Sequence, residues 1–278
     1  MRLRLIWKEY NVIFLTMGVF LVLLSLESPI KRGISLDSQN RFAYDLIAGI
    51  IIRLAILLFA LIIIYKKGLR QINGIGKQLQ IDNIHSFIIV SVVITLMLLS
   101  NFQLYKDVPL YIFGLFLSFT LSVGFAEEFI LRGIIQPLLI RNFLMNKNSI
   151  FIGVIITSIV FGFFHFLNLK KEPDNLIGIS HQVLFASCVG LFFGGLLIRT
   201  KNIIPVAFIH GLINLSFGPG KLKEYLKMND FQNLDDKYQI LSLIITSVIC
   251  LLIGFSGIFM INISNKEEYL SKIEKLNI

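Results

Sequence analysis

Eight apolar runs punctuate the chain, at about 11–26, 44–65, 86–104, 109–140, 149–168, 176–198, 203–217 and 238–262. About 20 apolar residues in a helix cross roughly 30 Å of hydrocarbon, so these runs decide the fold class. Composition agrees: 55% of the 278 residues are hydrophobic, mean hydropathy is +0.78 and only 15% are charged, against about 25% in a soluble domain. The expectation is an all-α polytopic membrane bundle with about eight transmembrane helices. The 109–140 run is too long for one upright helix, so it must tilt, extend past the bilayer or break near Gly124. The 203–217 run is short, and its ends should be buried in the bundle.

No Pro/Ser-rich linker, repeat or low-complexity tract divides the sequence. It reads as one integral membrane domain over 1–278, with a motif-bearing core at about 109–217 and a polar tail at about 263–278. Arg2, Arg4 and Lys8 precede the first run as they would in a signal peptide, but Leu24 to Pro29 offers no small-x-small cleavage site. Lys and Arg number 14 on the side of the termini and 10 in the opposite loops, which favours cytoplasmic termini. The net charge of +9 is the charge of topogenic loops meeting anionic headgroups, which points to lipid and away from nucleic acid. Cys188 and Cys250 lie in apolar runs with no CxxC spacing, so they read as packing residues.

Against this background a few polar residues stand out: Glu127, Glu128 and Arg132, then His165 in Phe161-Gly-Phe-Phe-His165, then His210 and Asn214. A charged side chain at a helix centre costs roughly 2.5–3.5 kcal/mol on insertion scales and is seldom kept without a function. Positions four apart share a helix face, which puts Glu128 with Arg132, His165 with Phe161, and His210 with Asn214. Glu127 is turned about 100° from Glu128, so one glutamate can be paired while the other stays free. Each group has a plainer reading. Glu127 and Glu128 would flank a helix end with Arg132 snorkelling to headgroups, His165 would be a satisfied core histidine, and His210 with Asn214 an interhelical hydrogen-bond pair. Counted from the inner helix ends at 1.5 Å per residue, Glu127 lies roughly 20 Å deep, His165 roughly 24 Å and His210 roughly 10 Å. Tilt must close that spread if the groups are to meet.

Other polar residues carry the plain reading alone. His85 is expected at the interface before the third run, while His181 and Gln182 are expected to pack or sit at an interface rather than line a cavity mouth. Arg53 is expected to snorkel or to pair with a carboxylate, and Gly190, Gly194 and Gly195 to let helices pack closely.

The ordered set Glu127-Glu128-x-x-x-Arg132, Phe161-x-x-x-His165 and His210-x-x-x-Asn214 resembles the CPBP family of intramembrane proteases, which includes CAAX prenyl endopeptidases and bacterial Abi or bacteriocin-immunity proteins. The likeness covers about 120–217; Leu131 stands where many relatives carry Phe. It implies an eight-helix bundle that cleaves peptide bonds of membrane-associated peptides or proteins. Glu127 matches the water-activating glutamate, Glu128 and Arg132 the supporting pair, His165 and His210 the catalytic histidines, and Asn214 the amide of the last motif. A desolvated glutamate is a better base near neutrality, and His210 with Asn214 can donate to the oxyanion.

Two imidazoles and a carboxylate also suit a catalytic zinc, the metalloprotease reading, with His165 and His210 as ligands. The HExxH helix is absent, and the reading leans toward no tightly bound metal. An Ile-, Lys- and Asn-rich composition points to an AT-rich genome; for a chain of a bacterial plasma membrane, the resemblance implies bacteriocin self-immunity or peptide-signal processing. Two other classes stay open: a transporter or channel with an ion-binding cluster, although no inverted repeat is evident, and a non-catalytic sequestering immunity protein. Oligomeric state is not encoded in these patterns.

Overall fold

The computed structural model describes residues 2–33, 38–77, 85–170, 172–226, 236–264 and 266–276. Among them there is no strand. The helices are α1 (Arg2–Ser25), α2 (Glu27–Arg32), α3 (Ser38–Lys66), α4 (Arg70–Asn73), α5 (His85–Ser100), α6 (Phe102–Asp107), α7 (Leu110–Ile130), α8 (Gln136–Asn142), α9 (Ser149–Phe164), α10 (Leu176–Thr200), α11 (Ile203–Phe217), α12 (Gly220–Tyr225), α13 (Asp236–Ile263) and α14 (Lys266–Glu274). A π-helical turn, Leu131–Ile135, joins α7 to α8, and a 3₁₀ stretch, His165–Lys170, follows α9. Helices are forced on such a chain because hydrocarbon offers no partner for backbone N–H and C=O groups, which must bond within the segment.

Six helices among the described residues are long and apolar enough to span: 9–32, 41–66, 110–142, 149–170, 176–200 and 243–262. The third and seventh apolar runs form the shorter helices Val90–Ser100 and Ile203–Phe217. Large apolar side chains stand exposed along the outward rows, among them Phe14, Leu58, Leu96, Leu99, Phe255 and Phe259. A soluble monomer rarely exposes so much contiguous apolar surface; these rows belong in lipid, and the protein is an integral membrane protein. His85 opens α5, and its side chain lies outside the described residues.

The bundle has two distinct ends. At the end nearest both termini, Glu9 pairs with Arg141 at 3.2 Å, Asn202 donates to the Lys77 carbonyl at 3.2 Å, and Glu268 of α14 pairs with Lys201 and Lys272. Gly74, at φ 62°, presses on this end: a Cβ there would lie 1.8 Å from the Lys201 carbonyl oxygen, so only glycine fits. Tyr269 and Ile273 anchor α14 by full burial, and burial pushes the Tyr269 hydroxyl pKa up. At the opposite end, Tyr105 donates to the Leu215 carbonyl at 2.8 Å, Phe42 packs on Tyr225, and Arg53 pairs with Glu27. Arg53 thus does pair with a carboxylate of the bundle.

Candidate active site

The long helix does not break at Gly124. That residue serves instead as the point of closest approach between α7 and α11: a Cβ at Gly124 would meet Ala207 O and Gly211 N at 2.5 Å, and one at Gly211 would meet Leu121 Cα at 2.8 Å. Two glycines facing each other let the backbones nearly touch. Glu127 and Glu128, one turn on, are thereby brought against His210.

The depth arithmetic closes once the helices are aligned by contact rather than by their ends. Gly133 is level with Ile203, and Gly153 with Ile140. From Gly133 to Glu127 and from Ile203 to His210 the rises are roughly 9 and 10 Å; from Ile140 to Glu127 and from Gly153 to His165 they are roughly 20 and 18 Å. The earlier spread arose because α8 runs well past the start of α11.

After Glu128 the helix widens into its π turn, where Gln136 N bonds back to Leu131 O, five residues earlier. Such bulges leave carbonyls to find other partners and occur often at functional sites. Here Asn73 donates to the Gly133 carbonyl at 2.8 Å in a fully buried contact. Asn73 carried no signal in the sequence, since nothing local links it to a turn 60 residues away.

Arg132, inside this turn, is 0% exposed. It does not snorkel. Nη1 donates to Glu128 Oε1 at 3.1 Å and Nη2 to the Gly190 carbonyl at 3.1 Å, while the guanidinium carbon lies 4.9 Å from the Phe161 ring centre and 5.6 Å from that of Phe193. A Cβ at Gly190 would sit 2.9 Å from Arg132 Nη2. Gly190 therefore makes room for the arginine as well as for helix packing, a use that the small-residue strip did not disclose.

His210 is held on every side. Its Nδ1 lies 2.8 Å from Glu128 Oε1 and its Nε2 3.7 Å from Glu127 Oε2. The ring stacks on Phe193 at 4.9 Å and meets the edge of Phe161 at 5.5 Å. A carboxylate only accepts, so with Glu128 ionised against Arg132 the proton of this pair sits on Nδ1, and Nε2 turns toward Glu127. His165 opens the 3₁₀ stretch; its Nδ1 is 3.1 Å from the Phe161 carbonyl oxygen, which leaves Nε2 for other contacts.

Glu127, His165, His210 and Asn214 all line one cavity of about 1270 Å³, together with Phe161 and Thr120. Glu127 keeps 24% of its side-chain surface exposed, whereas Glu128 is sealed behind it. The Asn214 amide makes no hydrogen bond to another described residue, so the expected pairing with His210 is not formed and the amide faces the cavity. His181 and Gln182 also line the cavity, contrary to the expectation of packing alone: His181 Nε2 is 3.0 Å from Thr246 Oγ1, and Gln182 accepts from Asn168 at 3.0 Å. A lone histidine on an apolar helix gives no sequence sign of a cavity beside it. Cys188 and Cys250 are buried and unbridged.

Two buried polar atoms of this cluster, Glu128 Oε2 and Arg132 Nε, have no hydrogen-bond partner among the described residues. As for zinc, no group of three or more His, Cys, Asp or Glu side chains among the described residues converges as metal ligands would. His210 Nδ1 is engaged by Glu128, and the donor set does not fit a three-ligand site.

Comparison with known proteins adds a family. The model described as type II CAAX prenyl endopeptidase Rce1-like matches residues 109–216. No curated protein and no solved structure matches the chain. The match takes in α7, the π turn, α9 and most of α11, and so every residue of the polar cluster. Residues 109–216 of this membrane protein thus match the Rce1-like family model, a similarity consistent with the CPBP/CAAX protease family.

Proposed function

We propose that the chain is an intramembrane endopeptidase in which Glu127 activates water to cleave peptide bonds of membrane-associated peptides or proteins. The observation that carries this is the shared cavity: Glu127, His165, His210 and Asn214 face it from three helices, and His210 lies against both glutamates.

Glu127 takes a proton from a water in the cavity, and the oxygen attacks the scissile carbonyl. Charge then develops on the carbonyl oxygen. Asn214 Nδ2, which bonds to no other described residue, donates to it, and His210 does so from Nε2 once that nitrogen has taken up the proton from Glu127, whose Oε2 lies 3.7 Å away. In an enclosed site of low dielectric such donors are worth far more than in water. As the intermediate collapses, the proton that came from water passes by way of His165 Nε2 to the leaving amine, which completes hydrolysis to an acid and an amine and leaves Glu127 ionised again. Glu128 and Arg132 are positioning residues: they fix the tautomer and ring plane of His210 and touch no substrate. The reading is metal-free, in keeping with the ligand geometry above.

The partners proposed are membrane lipid and a peptide or protein substrate. The setting proposed is a bacterial plasma membrane with cytoplasmic termini, where bacteriocin self-immunity and peptide-signal processing are the fitting roles.

The test is cleavage of quenched fluorescent peptides by the purified protein in liposomes. Glu127→Gln should lower the rate by at least about 100-fold, the usual range for general-base catalysis, with folding unchanged. Activity in that variant within a few-fold of the parent would refute the assignment. Excess strong chelator should leave the parent rate unaltered; abolition restored by zinc would overturn the metal-free reading.

A further inference from the structure

Two further polar residues are sealed in the bundle and take no part in the chemistry proposed above. Gln136 closes the π turn with its backbone N–H and is 0% exposed; Tyr269, on the C-terminal helix α14, is 1% exposed. The polar neighbour of the Tyr269 hydroxyl is the Gln136 side chain. A buried amide and hydroxyl add little stability that apolar groups of the same shape would not add, so the pair calls for another reason.

Gln136 continues a column that Arg132 begins. A Cβ at Gly190 would lie 2.9 Å from Arg132 Nη2 and 3.0 Å from Ser158, and one at Gly194 would lie 3.1 Å from Gln136 Oε1 and 2.5 Å from Val154. The second triple repeats the first one turn along all three helices, and Tyr269 closes the column at the end nearest the termini. Its helix, which lies beyond the residues matched by the family model, is placed to hold the column. It packs on α8 and on α4, whose Asn73 bonds the Gly133 carbonyl inside the π turn. Lys266 Nζ lies 4.8 Å from the ring centre of Phe151 on α9, and Glu268 pairs with Lys201 just before α11.

The wide turn is the part that needs holding. When such a turn migrates along its helix, each residue it passes rotates by about 100° and moves about 1.5 Å. Passage across Arg132 would swing the guanidinium away from Glu128 and from the Gly190 carbonyl, its two partners at 3.1 Å. We propose that Gln136 and Tyr269 are positioning residues that pin the π turn in the register where Arg132 reaches both partners. They touch no substrate; they act through Arg132 on Glu128, which orients His210. Catalysis enters only through the proposed endopeptidase, on which this reading rests, whereas the state of the arginine can be read without it.

Gln136→Met and Tyr269→Phe keep the shapes and remove the polar atoms. Each full-length variant is compared with the parent by NMR of arginine-labelled protein in micelles, where the Arg132 Nη–H signals are identified by their loss in Arg132→Met. In the parent these protons are buried and bonded, so they exchange slowly with solvent. In both variants they should exchange at least about tenfold faster. The thermal unfolding midpoint should be unchanged or raised, because buried polar atoms have given way to apolar ones. In liposomes, kcat should fall at least fivefold with KM within twofold.

Parental exchange of the Arg132 protons in either variant overturns the proposal, whatever the rate does. Faster exchange that merely follows a lowered unfolding midpoint overturns it as well, since that is the mark of a purely structural pair. Faster exchange at an unchanged or raised midpoint, in a protein that cleaves no peptide even as the parent, supports the positioning role and refutes the hydrolytic reading alone.

Discussion

The Glu128–Arg132 pair allows a quantitative test of how the site is held. At 3.1 Å and an effective dielectric of about 20, the Coulomb attraction is about 5 kcal/mol. Both groups are fully buried, so desolvation offsets most of that gain, and the intact pair is near neutral in net stability. Breaking it is another matter. Arg132→Met leaves Glu128 with His210 as its one partner and Oε2 still bare, at a cost of about 3–5 kcal/mol. Glu128→Gln strands the guanidinium between Phe161 and Phe193 at a similar cost. The double variant removes both charges and should lie within about 2 kcal/mol of the parent, giving a coupling of several kcal/mol. Reversible unfolding in mixed micelles, followed by far-UV circular dichroism, measures all four corners of the cycle. Single variants within 1 kcal/mol of the parent, or strictly additive losses, would refute a sealed ion pair. Hydrolysis should fall in both variants that carry Glu128→Gln, including the stable double one, because His210 loses the carboxylate that orients it.

Three further outcomes follow from the same geometry. Gly124→Ala forces α7 and α11 apart by up to about 1 Å, and a shift of that size can cost about 100-fold in rate; steady-state cleavage with unchanged helicity would show it, and full activity would contradict the close approach. Asn73→Leu leaves the Gly133 carbonyl without its donor and should destabilise by about 1–3 kcal/mol, read by the same unfolding assay, with no loss refuting a structural role for that bond. Lys201 and Lys272 hold the Glu268 carboxyl at about 2, below its ordinary 4.5. Its contribution is therefore complete above about pH 4.5 and lost as pH falls toward 2. Because Glu268 is 43% exposed, the effect is under about 1 kcal/mol. Limited proteolysis of α14 in parent and Glu268→Gln should converge at low pH, and an unchanged gap would dismiss the pairing.

Helical spacing was enough to place Glu128 beside Arg132, to turn Glu127 away from both, and to mark the three helices that supply the cluster. It was enough because those relations lie within single helices. What failed to show in the sequence was relative height. His210 looked 10 Å too shallow because the inner end of α8 was taken as level with the start of α11, whereas contact puts Ile203 beside Gly133. The π turn was equally hidden: Leu131–Ile135 has no proline or unusual composition, and the bond that satisfies it comes from Asn73. His181 looked like a packing or interfacial residue for the same reason, since a cavity is made by neighbours distant in sequence.

The two ends of the bundle have a practical consequence. α1 starts, and α14 docks, at one end, while the cavity reaches Glu27, Lys170 and Lys221 at the other. A reporter fused to either terminus thus stands across the bilayer from the Glu27, Lys170 and Lys221 end of the cavity lining. Learning which compartment such a reporter occupies also reveals, by elimination, which compartment the Lys170 and Lys221 end of the cavity faces.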